Sequence, residues 1–558
     1  MPWFSRAISA LPAGTCRLSG EQLEPRLALS NVPVLFVPGQ PASLPRDVLN
    51  DLNAGRFVQA GIDLNRFFTH LGTRPEALTT EFDVKPLGIT SPSNPLIKAL
   101  RDVGYQDGVD LFAAVHDWRM PIAPADGTDD GFLANVTAAL MTNGRFDYGV
   151  SYLGYWLKKA EAAWHADPTN TGPFPGVDVI SHSEGNLLVR AYVSSAAYLD
   201  PSMPKINTWV AAAPPFQGVS GIYNLLTNNF ANPLGSDVLN GALYPFVEVP
   251  YIQVASFGGT IYGPDGGAAI TRASINNPLT GKPDPYRFME QYIPSLWSEN
   301  ATYAFLDGHT VNADPRYRNA LMLDLNWTPS GDVSTEFVSD LGSFAVVYGT
   351  KNTTLTYAVT QPAAFIKPVL PLVANVQDIV GVFNYKPWVK DVSVASNGDG
   401  LIPVVSAVPP SFVGNSDIRL LPQTYNVHGQ PVDHNDTISD PKSVQAILGE
   451  LGYVIGLSTI TAKSNAKSNA SPAASKAGGL SIKMPVAWPT GVKGRSDLSI
   501  PFGFLSTTQP SKPLAIVVPG VLGSVPRPTA MQVAQLFAAF AGPVSTTSLF
   551  PPGAKPRR

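Results

Sequence analysis

The sequence predicts an α/β fold: a mostly parallel central sheet flanked by helices, with an inserted cap region and a partly disordered C-terminal tail. Three observations predict it. Short apolar runs end abruptly in Pro or Gly turns, as Val34 to Val37 does before Pro38-Gly39 and Val177 to Ile180 does before Ser181-His182-Ser183-Glu184-Gly185. An amphipathic helical stretch stands directly before the second run, which gives the strand–helix–strand order of parallel pairing. The alternation is then interrupted over about 216–335 and resumes at Phe344.

Taken in order, residues 1–30 contain arginines and only a short apolar stretch, Ala7 to Leu11, which makes a poor secretory signal. Leu23-Glu24-Pro25-Arg26 resembles the N-terminal motif of many large planctomycete proteins, with Ala28 where Leu is usual. The resemblance implies export or surface sorting; the alternative is a disordered leader without a role, on a chain that stays cytoplasmic. The main domain runs over 31–457. After the first strand, Asp110 to Arg119 reads as a second core strand. Asp126 to Gly131 is an acidic loop that lacks the closing Glu of an EF-hand, so a solvated loop is favoured over a calcium site. Residues 146–167 place Tyr148, Leu153, Trp156, Leu157, Ala160, Ala163 and Trp164 at helical spacing. Thr208 to Pro215 is a further strand. The Gly-, Pro-, Asn- and aromatic-rich stretch 216–335 reads as the cap. Phe344 to Gly349, Val392 to Gly400 and Ile418 to Pro422 follow as strands, and Lys442 to Leu457 as a final helix. Residues 458–479 hold a low-complexity repeat, Ala462 to Ala470, and read as a flexible linker. In the tail, 480–558, Val518-Pro519-Gly520 echoes Val37-Pro38-Gly39, as a truncated second copy or by coincidence.

Bulk properties exclude several classes. A net charge of -4 without a long basic run argues against nucleic acid. The single cysteine, Cys16, excludes an intramolecular disulfide framework and any multi-cysteine metal site. No apolar run reaches the ~20 residues that span a bilayer.

The chemistry centres on residues 181–185. A strand, a tight small-His-Ser-x-Gly turn and a helix form the setting in which a serine becomes a nucleophile. Ser183 is that serine. Ser181 stands where Gly is usual, and only a small residue is needed there. A helix N-terminus beneath the serine favours developing negative charge. A serine needs a base, and the base an orienting carboxylate. The chain has seven histidines. In the order nucleophile, acid, base, His70, His116 and His165 come too early. His182 lies inside the turn and points away, and His309 precedes the expected acid. His428 and His434 remain, and His434, closer to the last helix, is preferred. Asp399, between Gly398 and Gly400 after an apolar strand, is the expected acid; the alternative is an ordinary Asp-Gly turn. The oxyanion hole needs two backbone N–H groups. Glu184, after the nucleophile, and Gln40, after the first strand, are the expected donors. A carboxylate at Glu184 would oppose an oxyanion unless it points away or finds a cation.

These residues together resemble the lecithin:cholesterol acyltransferase family, which includes lysosomal phospholipase A2. The match covers about 32–457. It rests on Pro33 to Gly39, Asp117-Trp118-Arg119, the 181–185 turn, Pro214 to Gly218, Gly398 to Pro403, and Leu420 to Pro422 with His434 and Ala446-Ile447-Leu448. His116, Glu184 and Leu401 depart from the family's pattern. The resemblance implies an α/β-hydrolase fold and a Ser183–Asp399–His434 triad acting on lipid acyl esters through an acyl-enzyme. It implies hydrolysis or transfer to an alcohol, no cofactor and no metal. It also implies a lid with lipid-facing candidates Trp118, Phe216, Tyr223 and Leu226, with Ile222, Leu225 and Phe230 beside them, and transient contact with a lipid interface; the alternative is that these side chains pack the cap's own core. A small-ester esterase, a peptidase or a silent binding protein on the same fold are the competing readings.

Overall fold

Strands buried on both faces are mostly apolar, and the short runs pair accordingly. The computed structural model describes residues 32–453 except 86–88, 227–245, 248, 252, 311–313, 327, 329–331 and 362–387; beyond 453 it describes only the backbone of the paired strands Ser481–Pro485 and Asp497–Pro501. The leader motif, the low-complexity repeat, the second Val-Pro-Gly segment and Phe230 lie outside the described residues.

Six strands form one sheet: β1 (Val34–Val37), β2 (Leu111–Ala113), β3 (Val177–His182), β4 (Ile206–Ala212), β5 (Ser343–Gly349) and β6 (Ile418–Gln423). Their order is β6-β5-β4-β3-β1-β2, and every neighbouring pair is parallel. Parallel pairs need crossovers, and crossovers here carry helices: α1 (Asn94–Asp102), α2 (Gly149–Ala166), α3 (Gly185–Val193) and α4 (Ser295–Glu299), while α5 (Pro441–Glu450) follows the last strand. Successive side chains of β1 go to opposite faces. Leu35 and Val37 join a core with α2 and α3, while Val34 and Phe36 join one with Leu96, Ile97 and Leu100 of α1 and Val444, Ile447 and Leu448 of α5. Each such side chain, fully buried, stabilises the sheet sandwich by about 1.5–3 kcal/mol.

The expected helix over 146–167 is α2, entered at Gly149 and closed where Asp167 N–H donates to the Ala163 and Trp164 carbonyls. Its Trp156 indole donates to the Val115 carbonyl at 2.9 Å, tying the helix to the segment after β2. Among the described residues no helix is long and apolar enough to cross a membrane.

Three expectations change. The strand over Asp110 to Arg119 is only Leu111–Ala113. β2 is an edge strand with β1 as its one neighbour, and the chain leaves it to bury an ion pair, Asp117 with Arg119 at 2.7 Å, both fully enclosed. Arg119 also donates to the carbonyls of Phe67 and His70 and lies 3.9 Å over the Phe67 ring. Val392 to Gly400 does contain strand, but Trp388–Ser396 pairs antiparallel with Thr353–Gln361 as a separate ribbon and not with the sheet. A strand pattern is local; its pairing partner is not. The last helix ends at Glu450 instead of Leu457. Gly452, at φ 84°, and Tyr453 donate back to the Gly449 and Leu448 carbonyls, which closes it. In the acidic loop, Asp126 accepts from Thr128 and Ala134 N–H groups, and Asp324 accepts from Asp126 and Gly127, so backbone donors occupy these carboxylates.

Residues 213–342 separate β4 from β5 and hold several short helices. α4 is tied to the sheet domain by Ser295, whose hydroxyl donates to the Trp118 carbonyl at 2.7 Å and accepts from the Gln40 amide at 3.2 Å.

Candidate active site

β3 ends at His182 and α3 begins at Gly185, so two residues make the whole turn. Ser183 sits at φ 54°, the left-handed region that L-residues avoid at a cost of roughly 1–2 kcal/mol. A polar network holds it there. Ser183 N–H donates to the Ala212 carbonyl at 3.1 Å. The Asn186 amide donates to the carbonyls of Ser183 (2.9 Å) and Ala212 (3.0 Å). Ser181 Oγ donates to Asn186 Oδ1 at 2.6 Å and accepts from the Trp209 indole at 2.7 Å. Ser181 is thus more than a small residue, and Asn186, which the sequence reading passed over, is the centre of the network. The available signal was a lone amide at the head of a mostly apolar helix.

The turn packs against the end of β1 at van der Waals limits. A Cβ on Gly39 would lie 2.5 Å from Ser183 Cβ and 2.8 Å from the His182 carbonyl; one on Gly185 would lie 2.5 Å from the Val37 carbonyl. Gly39→Ala is therefore expected to cost about 1–3 kcal/mol by overpacking. Displacing the serine by ~1 Å should also cost on the order of 10²-fold in turnover. Denaturant unfolding and ester hydrolysis measured on the same sample check both.

Asp399 and His434 come together after β5 and β6. His434 Nδ1 lies 2.9 Å from Asp399 Oδ2, and the other carboxylate oxygen accepts from Leu401 N–H (2.9 Å) and Ile402 N–H (2.7 Å). Burial alone would raise the Asp399 carboxyl, but the His434 imidazole and these two N–H groups outweigh it and hold it below the ordinary carboxylate value. The close approach needs Gly349 at the end of β5, where a Cβ would lie 2.7 Å from Asp399 Cβ.

His434 meets the elbow through His182. The His182 ring lies against the His434 ring with centroids 4.7 Å apart, and its Nε2 is 3.1 Å from the His434 carbonyl. Burial, and then the neighbouring His434, lower the His182 pKa to about 3, so His182 is a neutral support. It faces His434. No hydrogen bond joins Ser183 Oγ to the His434 ring here; the bond in place is the one to Asp399. His70, His165, His309 and His428 are exposed, whereas His116 and His182 are buried beside the elbow.

The backbone N–H groups of Gln40 and Glu184 donate to no other group among the described residues, which leaves both available to an incoming oxygen. The Glu184 side chain is wholly buried and turns toward His116, its Oε2 3.4 Å from His116 Nε2. Burial pushes its carboxyl well above the usual range, and the charge of Asp117 adds to the rise.

Strand order, the left-handed serine between β3 and α3, and the Ser, Asp, His sequence along the chain decide the architecture. This is the α/β-hydrolase fold. The described lid candidates sit inside it. Trp118 packs edge-on to Phe246, Phe216 lies among Trp209, Phe344 and Phe412, and Tyr223 lies between Phe305 and Tyr317. Trp118, Phe216, Ile222, Tyr223 and Leu226 are all at most 1 % exposed, so they fill the core and do not line an open lipid-facing surface. Their apolar pattern suited either placement; the aromatic partners that enclose them lie far along the chain.

No protein-family model and no curated protein matches the sequence. Among solved structures the chain is similar to the Tle4-Tli4 complex, at 12% identity and a TM-score of 0.36 over 76% of this chain and 98% of the other. It is also similar to lipase 1 from Pelosinus fermentans, at 14% identity and a TM-score of 0.29 over 79% of this chain and all of the other.

Proposed function

We propose that this α/β-hydrolase is a serine acyl hydrolase or O-acyltransferase of lipid esters. Ser183 Oγ attacks the ester carbonyl while His434 Nε2 takes its proton. The tetrahedral oxyanion is met by the N–H groups of Gln40 and Glu184. His434 returns the proton to the departing alcohol, leaving an acyl-Ser183 ester. Water, or an acceptor alcohol, then attacks that ester with His434 again as base. Asp399 keeps the imidazole proton on Nδ1 throughout. The observation that carries the reading is the strained Ser183 turn, whose preceding residue His182 packs on a His434 bonded through Nδ1 to the buried Asp399 at 2.9 Å. Lipid esters are the substrate class because the residues from Pro33 to Leu448 resemble the lecithin:cholesterol acyltransferase family.

Labelling with a fluorophosphonate tests the chemistry. The expected result is a covalent adduct that is absent in Ser183→Ala and strongly slowed in His434→Ala. An unlabelled but folded wild type would leave a binding protein on this fold. Long- against short-chain esters and peptides, with acceptor alcohol supplied or withheld, then separate lipase, acyltransferase, simple esterase and peptidase. Preference for short esters or peptides would remove the lipid assignment.

A further inference from the structure

The carboxyl beside the nucleophile is the feature a serine hydrolase should least tolerate. Glu184 supplies one expected oxyanion donor from its backbone, and a negative charge one side chain away would oppose the same oxyanion. The structure disposes of the charge in a specific way. Glu184 is 0% exposed, and its Oε1 has no hydrogen-bond partner. The groups that face it from the elements around it are few. The segment after β2 contributes His116 and Asp117, and Asp117 is already bound by Arg119. α2 contributes Tyr152, edge-on to His116 at 6.5 Å. α4 contributes Glu299, 4% exposed, electrostatically coupled to Glu184, and with its own Oε1 unpartnered. No cation among these is free to neutralise a carboxylate.

Among the described residues His116 is the one polar side chain within hydrogen-bond reach of the Glu184 carboxyl, its Nε2 3.4 Å from Oε2. It is 1% exposed, and burial lowers its pKa to about 4 against the opposing pull of Asp117, so the ring is neutral at ordinary pH. A neutral ring brings no charge to offset a carboxylate, and a buried carboxylate without a cation is costly. An uncharged carboxyl shares a hydrogen bond with the ring without that cost.

We propose that Glu184 is a positioning residue held as an uncharged carboxylic acid hydrogen-bonded with His116, and that this buried pair fixes the peptide whose N–H meets the oxyanion. The proposal rests on the serine-hydrolase reading for its catalytic half. α4 reaches the other expected donor residue directly, since Ser295 accepts from the Gln40 side-chain amide.

Two measurements test it. The infrared difference spectrum of wild type minus Glu184→Gln at neutral pH should contain a carboxylic-acid C=O band, which needs no catalytic activity to be seen. Absence of that band overturns the proposal. Second, kcat/KM should be flat at neutral pH and fall about tenfold per pH unit once Glu184 ionises, since the acid form is the competent one. Glu299→Gln removes a like charge and should move that alkaline limb to lower pH. Glu184→Gln should remove the limb whatever its plateau rate. A limb that neither variant moves overturns the positioning role, as does a folded Glu184→Gln that is inactive at every pH. If the wild type takes no fluorophosphonate, the hydrolase reading falls, while the infrared band still decides the state of Glu184.

Discussion

Ser183→Gly is expected to abolish ester turnover, by on the order of 10⁶-fold, and at the same time to stabilise the protein by about 1 kcal/mol. The two effects share one cause. Ser183, the proposed nucleophile, is presented by a backbone at φ 54°, where a Cβ crowds the following carbonyl and glycine does not. The Asn186 and Ala212 contacts that hold the turn use only the main chain of Ser183, so glycine keeps them. Ser183→Ala is the control. It loses the hydroxyl but retains the Cβ, and should be as inactive as the glycine variant without the gain in stability. Denaturant midpoints of the three proteins, read beside fluorophosphonate labelling, decide the matter. A glycine variant less stable than the alanine variant would mean that the turn stores no strain.

Asp399→Asn is expected to lower kcat about 10⁴-fold. Asp399 is required as an acceptor on both oxygens, from His434 Nδ1 on one and from the Leu401 and Ile402 N–H groups on the other. An amide has one acceptor oxygen. With that oxygen toward the backbone, its NH₂ faces Nδ1 and drives the imidazole proton to Nε2, the atom that must accept from Ser183. With the amide reversed, two backbone donors face an NH₂ and the acid loop is disrupted. The stability effect has a sign as well. The folded-state pKa of Asp399 is depressed, so its carboxylate stabilises the fold above the ordinary carboxyl pKa and that contribution is lost as pH falls through the folded value. The deficit of Asp399→Asn relative to wild type should therefore shrink on acidification. Thermal unfolding at neutral and acidic pH measures it. A deficit that grows as pH falls would contradict the depressed carboxyl.

Much of the architecture was legible because it is periodic and local. The apolar run 177–180, the helix over 149–166 and the breaker residues after each strand state their own conformation, and parallel pairing follows from their order. The elbow was legible for the same reason: strand, tight turn and helix are contiguous in residues 177–193. Asp399 and His434 could be named from chain order before any contact was known, and the structure places them 2.9 Å apart.

What lay outside the sequence reading is non-local. The ribbon strand Trp388–Ser396 looks like a sheet strand until its antiparallel partner is seen. The apolar side chains whose pattern fitted either a lid or the cap's own core are enclosed by aromatics from distant segments. His182 supports His434, a contact that chain order alone does not reveal. Glu184 is the sharpest case. Its identity was plain in the sequence, and so was the conflict with an oxyanion. Whether it carries a charge depends on a histidine 68 residues earlier and on Glu299 far beyond it. Periodicity and turn chemistry report backbone conformation, which neighbouring residues decide. Protonation and strand partnership depend on which groups from remote segments share a water-free space, and only the folded chain brings those groups together.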